Sequence, residues 1–163
     1  MSEGMPIEHI RPHEIDSMTQ FVLGFLFTPD TKQVVLVRKK RPDSLAGKLN
    51  GVGGQLGPGE NPRTGVSREF FEATGVAIAD QDWRPVARLW GKGYEIAGFC
   101  AISEAAARCT SAGEENIMLT PVQYDVLQAE GALGLSWVIA AALDPNKPIL
   151  DIRVRAENPD WAD

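Results

Sequence analysis

The chain has 163 residues, a hydrophobic fraction of 44%, a charged fraction of 23% and a formal net charge of −6. That length suits one domain with a sizeable core, and the composition is ordinary for a globular protein, which excludes disordered and collagen-like classes. The acidic balance excludes a protein that grips long nucleic acid through a basic face, while leaving room for a local basic pocket around a small phosphate ligand.

Residues 1–16 show no clear period and include Pro6 and Pro12; they read as an N-terminal extension to a single domain over 17–163. The extension has no basic stretch followed by an apolar core, so a secretory signal is not expected and a cytoplasmic location follows. The longest apolar run, Phe21 to Phe27, falls far short of the roughly 20 residues that cross a bilayer, so no membrane partner is expected. Cys100 and Cys109 have no CxxC neighbour or nearby histidine and read as small core or loop residues rather than zinc ligands.

From Thr19, TQFVLGFLF is strand-like, TPDTK supplies turn residues and QVVLVRK is a second β-branched run; together they predict an antiparallel hairpin. Arg38, Lys39, Lys40 and Arg41 follow as a dense basic cluster. It reads either as a solvated strand end or as a phosphate clamp at the mouth of the next segment, with Arg38 and Lys40 as substrate contacts beside Gly53. The short strand LNGVGG then opens a glycine-rich loop that runs to Gly59.

Asn61 as N-cap, Pro62 at the first helical position and Gly75 just past the end predict a helix between them. Val66, Phe70, Ala73 and Val76 form its apolar stripe, and Gly65 implies close packing against another backbone. Further on, WRPVARLW and YEIAGFCAI around Gly91-Lys92-Gly93 predict a second hairpin, with Pro85 at an edge or a strand start. Next, SEAAARCTSAGEEN reads as a loop, NIMLTPV as a strand, QYDVLQAE as a short helix, and SWVIAAAL as an apolar helix capped by Ser136. In the tail, ILDIRVR alternates and is an edge-strand candidate. Trp83, Trp90 and Trp137 are assigned to the core, although an interface, and with it a homodimer, is open to them. The order of elements suggests a mixed sheet with helices on its faces, an α/β (α+β) fold.

Arg68, Glu69 and Glu72 fall close together on the central helix. Clustered carboxylates repel one another unless a cation stands among them, and Arg68 is that cation when no metal is present. Water attack on a diphosphate needs a divalent ion to neutralise phosphate oxygens and a carboxylate to position or deprotonate the water. Mg2+, with Mn2+ as a substitute, takes hard oxygen ligands and keeps several waters, so Glu69, Glu72 and the Gly54 carbonyl are a sufficient contribution.

The stretch from Gly54 to Val76 resembles the Nudix box, GX5EX7REUXEEXGU, through Gly54, Glu60, Arg68, Glu69, Phe70, Glu72, Gly75 and Val76, eight of the nine fixed positions. The departure is Ala73, where the family has its last glutamate. The resemblance implies an α/β/α sandwich with a mixed sheet and a hydrolase of nucleoside diphosphate derivatives, with a purine nucleoside triphosphate cut to the monophosphate as the leading reaction. It makes Glu69 and Glu72 metal ligands, Glu69 also the base, Arg68 their orienting partner and Glu60 a support to the metal site. Asn50 becomes a purine contact and Glu115 an extra carboxylate. Because of Ala73, a catalytically impaired nucleotide sensor is the alternative.

Overall fold

The structure is a computed structural model and describes residues 18–132, 134–146 and 148–154. Residues 1–16, and the tail beyond Val154, lie outside the described part. The strands are β1 (Thr19–Phe27), β2 (Gln33–Arg38), β3 (Leu49–Asn50), β4 (Val52–Gln55), β5 (Arg84–Gly91), β6 (Tyr94–Ile102), β7 (Asn116–Pro121) and β8 (Leu150–Arg153). The α-helices are α1 (Pro62–Thr74), α2 (Tyr124–Glu130) and α3 (Leu135–Leu143).

One mixed sheet runs in the order β3-β2-β1-β6-β5-β8, with β4 also on β1 and β7 also on β2. β1 lies parallel to β6, and β8 lies parallel to β5 at the sheet edge. Alternation along β1 divides the core between the two faces, because successive side chains of a strand point to opposite sides. Val22 and Leu26 join Val35, Val66, Phe70 and Trp83 under α1, whereas Phe25 and Phe27 join Leu36, Leu127, Val138 and Ile139 under α2 and α3. The result is the expected sandwich. Phe70 is fully buried and meets Trp83 edge-on, ring centroids 5.3 Å apart, an aromatic contact worth about 1 kcal/mol beyond the area it removes from water.

The first hairpin forms, but it forks. β1 and β2 pair only at Leu26–Val35 and Phe27–Val34, after which β1 pairs with β4 and β2 with β3. The segment expected as one strand, LNGVGG, is therefore two, joined by a sharp reversal at Gly51 that fills the fork. A Cβ at Gly51 would come within 2.7 Å of the buried Phe25 ring, which would have to shift to admit it.

Other expectations are met or corrected locally. The second hairpin is present, with Pro85 at the start of β5 and a register shift between Pro85 and Ala87. The loop from Ser103 contains a short 3-10 turn, Glu104–Arg108. α3 is capped by Gly134 at φ 84° instead of Ser136, which lies inside the helix. The neighbour that excludes a side chain at Gly65 is the Leu56 side chain and not a backbone. Of the tryptophans, Trp83 is buried, Trp90 half-buried and Trp137 58% exposed; Trp137 stands on the outer face of α3, so its assignment to the core fails. No helix among the described residues is long and apolar enough to cross a membrane.

Candidate active site

α1 is held at both ends by its own sequence. The Asn61 side chain accepts the Arg63 N–H at 2.9 Å and Pro62 needs no partner, while Gly75 adopts φ 74° and donates to the Phe71 carbonyl. With Val66 and Phe70 sunk into the sheet, Arg68, Glu69 and Glu72 are turned along β4 and the loop after it.

Arg68 organises the acids. Its Nε and Nη2 donate to the two oxygens of Glu60 at 2.8 and 2.9 Å, and its Nη1 donates to Glu69 at 3.0 Å and to Glu72 at 3.4 Å. Glu60 also accepts the Gly57 N–H at 3.1 Å, so one carboxylate closes the glycine loop and anchors the guanidinium. The paired guanidinium hydrogen bonds, then the Gly57 N–H, hold the Glu60 carboxyl down at about 2. Glu69 moves the other way: burial pushes its carboxyl up despite the pull of Arg68. Arg68 itself is held firmly protonated, first by its bonds to Glu60.

The Glu69 carboxylate lies where a Gly54 side chain would stand; a Cβ there would be 2.6 Å from Glu69 Oε2. Two cavities meet beside this contact. The larger, about 690 Å³, is lined by Phe21, Leu23, Lys39, Arg41, Asn50 and Ile96 among others, and the smaller, about 190 Å³, by Val52, Glu69, Glu72, Ala73, Glu114 and neighbours. Gly53 and Glu115 border both. Asn50 is 7% exposed, and its Oδ1 accepts the Gly51 N–H at 2.9 Å.

The segment before β7 closes the small cavity. Thr110 and Ala112 donate their N–H groups to the carbonyls of Thr74 and Ala73 at 3.1 and 3.0 Å. Across from it, Lys39 Nζ meets Glu115 at 2.9 Å, Lys40 Nζ donates to the Glu114 carbonyl at 2.7 Å and Arg41 faces the Glu114 carboxylate at 3.4 Å.

Gly54, Glu60, Arg68, Glu69 and Glu72 thus come together in space, and Glu115, Gly53 and Asn50 lie beside them. Arg38 and Lys40 are not among the cavity-lining residues: Arg38 donates to the Gly47 carbonyl at 2.6 Å and pairs with Glu130, while Lys40 is tied to Glu114. The basic residues that line the larger cavity are Lys39 and Arg41. Both lie in the loop after β2, which ends at Arg38, so no strand period in the sequence marked them out.

Among the described residues no three acidic, histidine or cysteine side chains converge as a ready cage for an ion; Arg68 stands among the carboxylates instead. Donor chemistry nonetheless fits a hard divalent cation that retains water: two carboxylates on α1, one of them pressed against the bare backbone of Gly54, border the same cavity as Glu114 and Glu115.

A mixed sheet between helices, with an arginine-anchored glutamate helix facing a glycine strand, defines the class of domain. The NUDIX domain profile matches residues 18–108, and the chain belongs to the Nudix family. No curated protein gives a significant match. Among solved structures, the mutator MutT protein from Bacillus halodurans is similar at 17% identity, with a TM-score of 0.62, 88% of this chain and 93% of that one covered. The NUDIX domain of Shewanella oneidensis NrtR, solved with ADP ribose, is similar at 20% identity, TM-score 0.62, covering 87% and 97%. A NUDIX hydrolase from Nitrosomonas europaea gives 12% identity and a TM-score of 0.61, covering 85% and 80%. At these identities the likeness is one of fold.

Proposed function

We propose that this Nudix domain is a hydrolase that cleaves the diphosphate linkage of a nucleoside diphosphate derivative, with a purine nucleoside triphosphate, cut to the monophosphate, as the substrate class. The observation that carries the proposal is the junction of the two cavities. A half-buried carboxylate, Glu69, lies against Gly54 on one side, and a chamber large enough for a nucleoside opens on the other. ADP ribose in the NrtR domain is itself a nucleoside diphosphate derivative and supports that ligand class.

Each residue has a task in this reading. Glu69 takes a proton from the attacking water, a task that suits a carboxylate standing at the junction of the two cavities. Arg68 fixes the direction of the Glu69 and Glu72 carboxylates, and Glu60 fixes Arg68. Lys39 and Arg41 supply positive charge at the wall where phosphates enter, and Asn50 offers its amide to the base. Glu69, Glu72 and the Gly54 carbonyl would hold Mg2+ or Mn2+, supported by Glu60 and Glu115; such an ion supplies charge neutralisation on the diphosphate oxygens. Ala73 removes one carboxylate from the small cavity without closing it.

The test is release of phosphate or pyrophosphate from a nucleotide panel with magnesium or manganese, using the wild type, Glu69→Gln and Ala73→Glu. Turnover by the wild type that falls by about 100-fold or more in Glu69→Gln is the expected result. A wild type silent on every nucleotide, with activity appearing in Ala73→Glu, would overturn the assignment in favour of a domain that binds without turnover.

A further inference from the structure

The acidic loop carrying Glu114 and Glu115 is fixed along its backbone but not at its last carboxylate. Thr110 and Ala112 are bonded to the end of α1, the Ser111 hydroxyl accepts the Ile117 N–H at 2.9 Å, and Lys40 holds the Glu114 carbonyl. Glu115 therefore has side-chain freedom on a pinned backbone. It borders both cavities, and its recorded partner is the Lys39 ammonium at 2.9 Å, in a pair whose side chains are 38% and 21% exposed. Lys39 lines the large cavity, where a phosphorylated ligand enters. Glu69 and Glu72 line the small one, which Glu115 also reaches.

We propose that Lys39 is a positioning residue that holds Glu115 away from the carboxylates of α1, and that the pair exchanges partners on loading. Phosphate oxygens take the Lys39 ammonium, and Glu115 turns to the divalent cation between Glu69 and Glu72. This rests on the reading of Glu69 and Glu72 as cation ligands. Charge balances at every stage: the ammonium passes from a carboxylate to a phosphate, and the released carboxylate passes to the cation. Metal and phosphate then favour each other's binding through one ion pair, an effect that needs no movement of the backbone. The missing carboxylate at position 73 makes the contribution of Glu115 the larger.

Two titrations on the full chain test the exchange, with circular dichroism confirming that each variant is folded. In the first, Mn2+ binding is followed by the electron paramagnetic resonance signal of the free ion, without nucleotide. Lys39→Met is expected to tighten Mn2+ about fivefold, the upper range for a partly exposed ion pair. The gain should vanish in Lys39→Met/Glu115→Gln, and Lys39→Arg should match the wild type. An equal gain in the Glu115→Gln background would mean simple loss of positive charge and would overturn the exchange, as would no gain at all. In the second, pyrophosphate binding is measured calorimetrically without metal. Glu115→Gln is expected to tighten it about fivefold, an effect absent when Lys39 is also methionine; unchanged affinity in Glu115→Gln overturns the phosphate half. Glu69→Gln separates this inference from the underlying one. If it leaves Mn2+ affinity unaltered, the α1 carboxylates are not ligands and that reading fails, whatever Lys39 does.

Discussion

The carboxylate of Glu69 occupies the space that any side chain at Gly54 would need, with Oε2 only 2.6 Å from an ideal Cβ there. The atom in the way is the free end of a flexible side chain, so a methyl group would move the carboxylate and leave the strand in place. Gly54→Ala is therefore expected to change stability by under about 1 kcal/mol while lowering turnover on the order of 100-fold, as displacement of a reacting group by about an ångström does. Urea unfolding beside a turnover assay checks both; a large loss of stability would show that Gly54 serves the fold and not the site.

Glu60 and Glu69 share Arg68 and yet shift in opposite directions. Carboxyl carbon shifts followed by nuclear magnetic resonance in metal-free protein should show Glu60 titrating near 2 and Glu69 above the ordinary 4.5. For Glu60 the folded value is depressed, so its stabilisation is complete above about 4.5 and is lost as pH falls toward 2. The stability gap between wild type and Glu60→Gln should accordingly be widest above pH 4.5 and narrow below it. Glu69 has the opposite sign, since its ionisation opposes folding as pH rises past the unfolded value. Titration of the two at one common value would refute the geometry around Arg68.

Arg41 lies on the wall of the large cavity and is mostly exposed, paired only loosely with Glu114 at 3.4 Å. Arg41→Ala should raise KM about three- to tenfold with kcat little altered, the pattern of a residue that binds ground state and transition state alike. A fall in kcat at unchanged KM would place Arg41 in the chemistry instead.

Phe70 is fully buried against Trp83 on the side of α1 away from the acids. Phe70→Ala should cost about 3–5 kcal/mol in denaturant unfolding, as a large cavity opens in a core that closes only in part. A cost below about 1 kcal/mol would mean that α1 is not held by this contact.

The helix, its caps and the carboxylates on it were legible because each depends on neighbours in sequence: Asn61, Pro62 and Gly75 act within one turn, and Glu69 and Glu72 are three apart. Strand identity was legible for the same reason, through apolar and β-branched runs. What escaped depended on pairing across the chain. Nothing local to LNGVGG says that β1 and β2 separate and admit it as a bend, or that Gly51 sits against Phe25. Similarly, the choice between Lys39 and Lys40 for the cavity follows from contacts distant in sequence, Lys39 with Glu115 and Lys40 with the Glu114 carbonyl. Ser136 was a reasonable cap by type, yet the helix begins before it, with the Gly134 carbonyl accepting the Val138 N–H at 3.0 Å.

Ala73 meets the acidic loop through its carbonyl, which accepts the Ala112 N–H whatever side chain the residue carries. That bond is thus indifferent to the residue's identity, while the charge in the cavity is not, and the Ala73 methyl itself packs against the core under α1. Alanine codons that end in a purine differ from glutamate codons by the middle base alone, so from such a codon one nucleotide change places a carboxylate at this position. A carboxylate gained or lost there leaves the backbone bond that fixes the acidic loop in place.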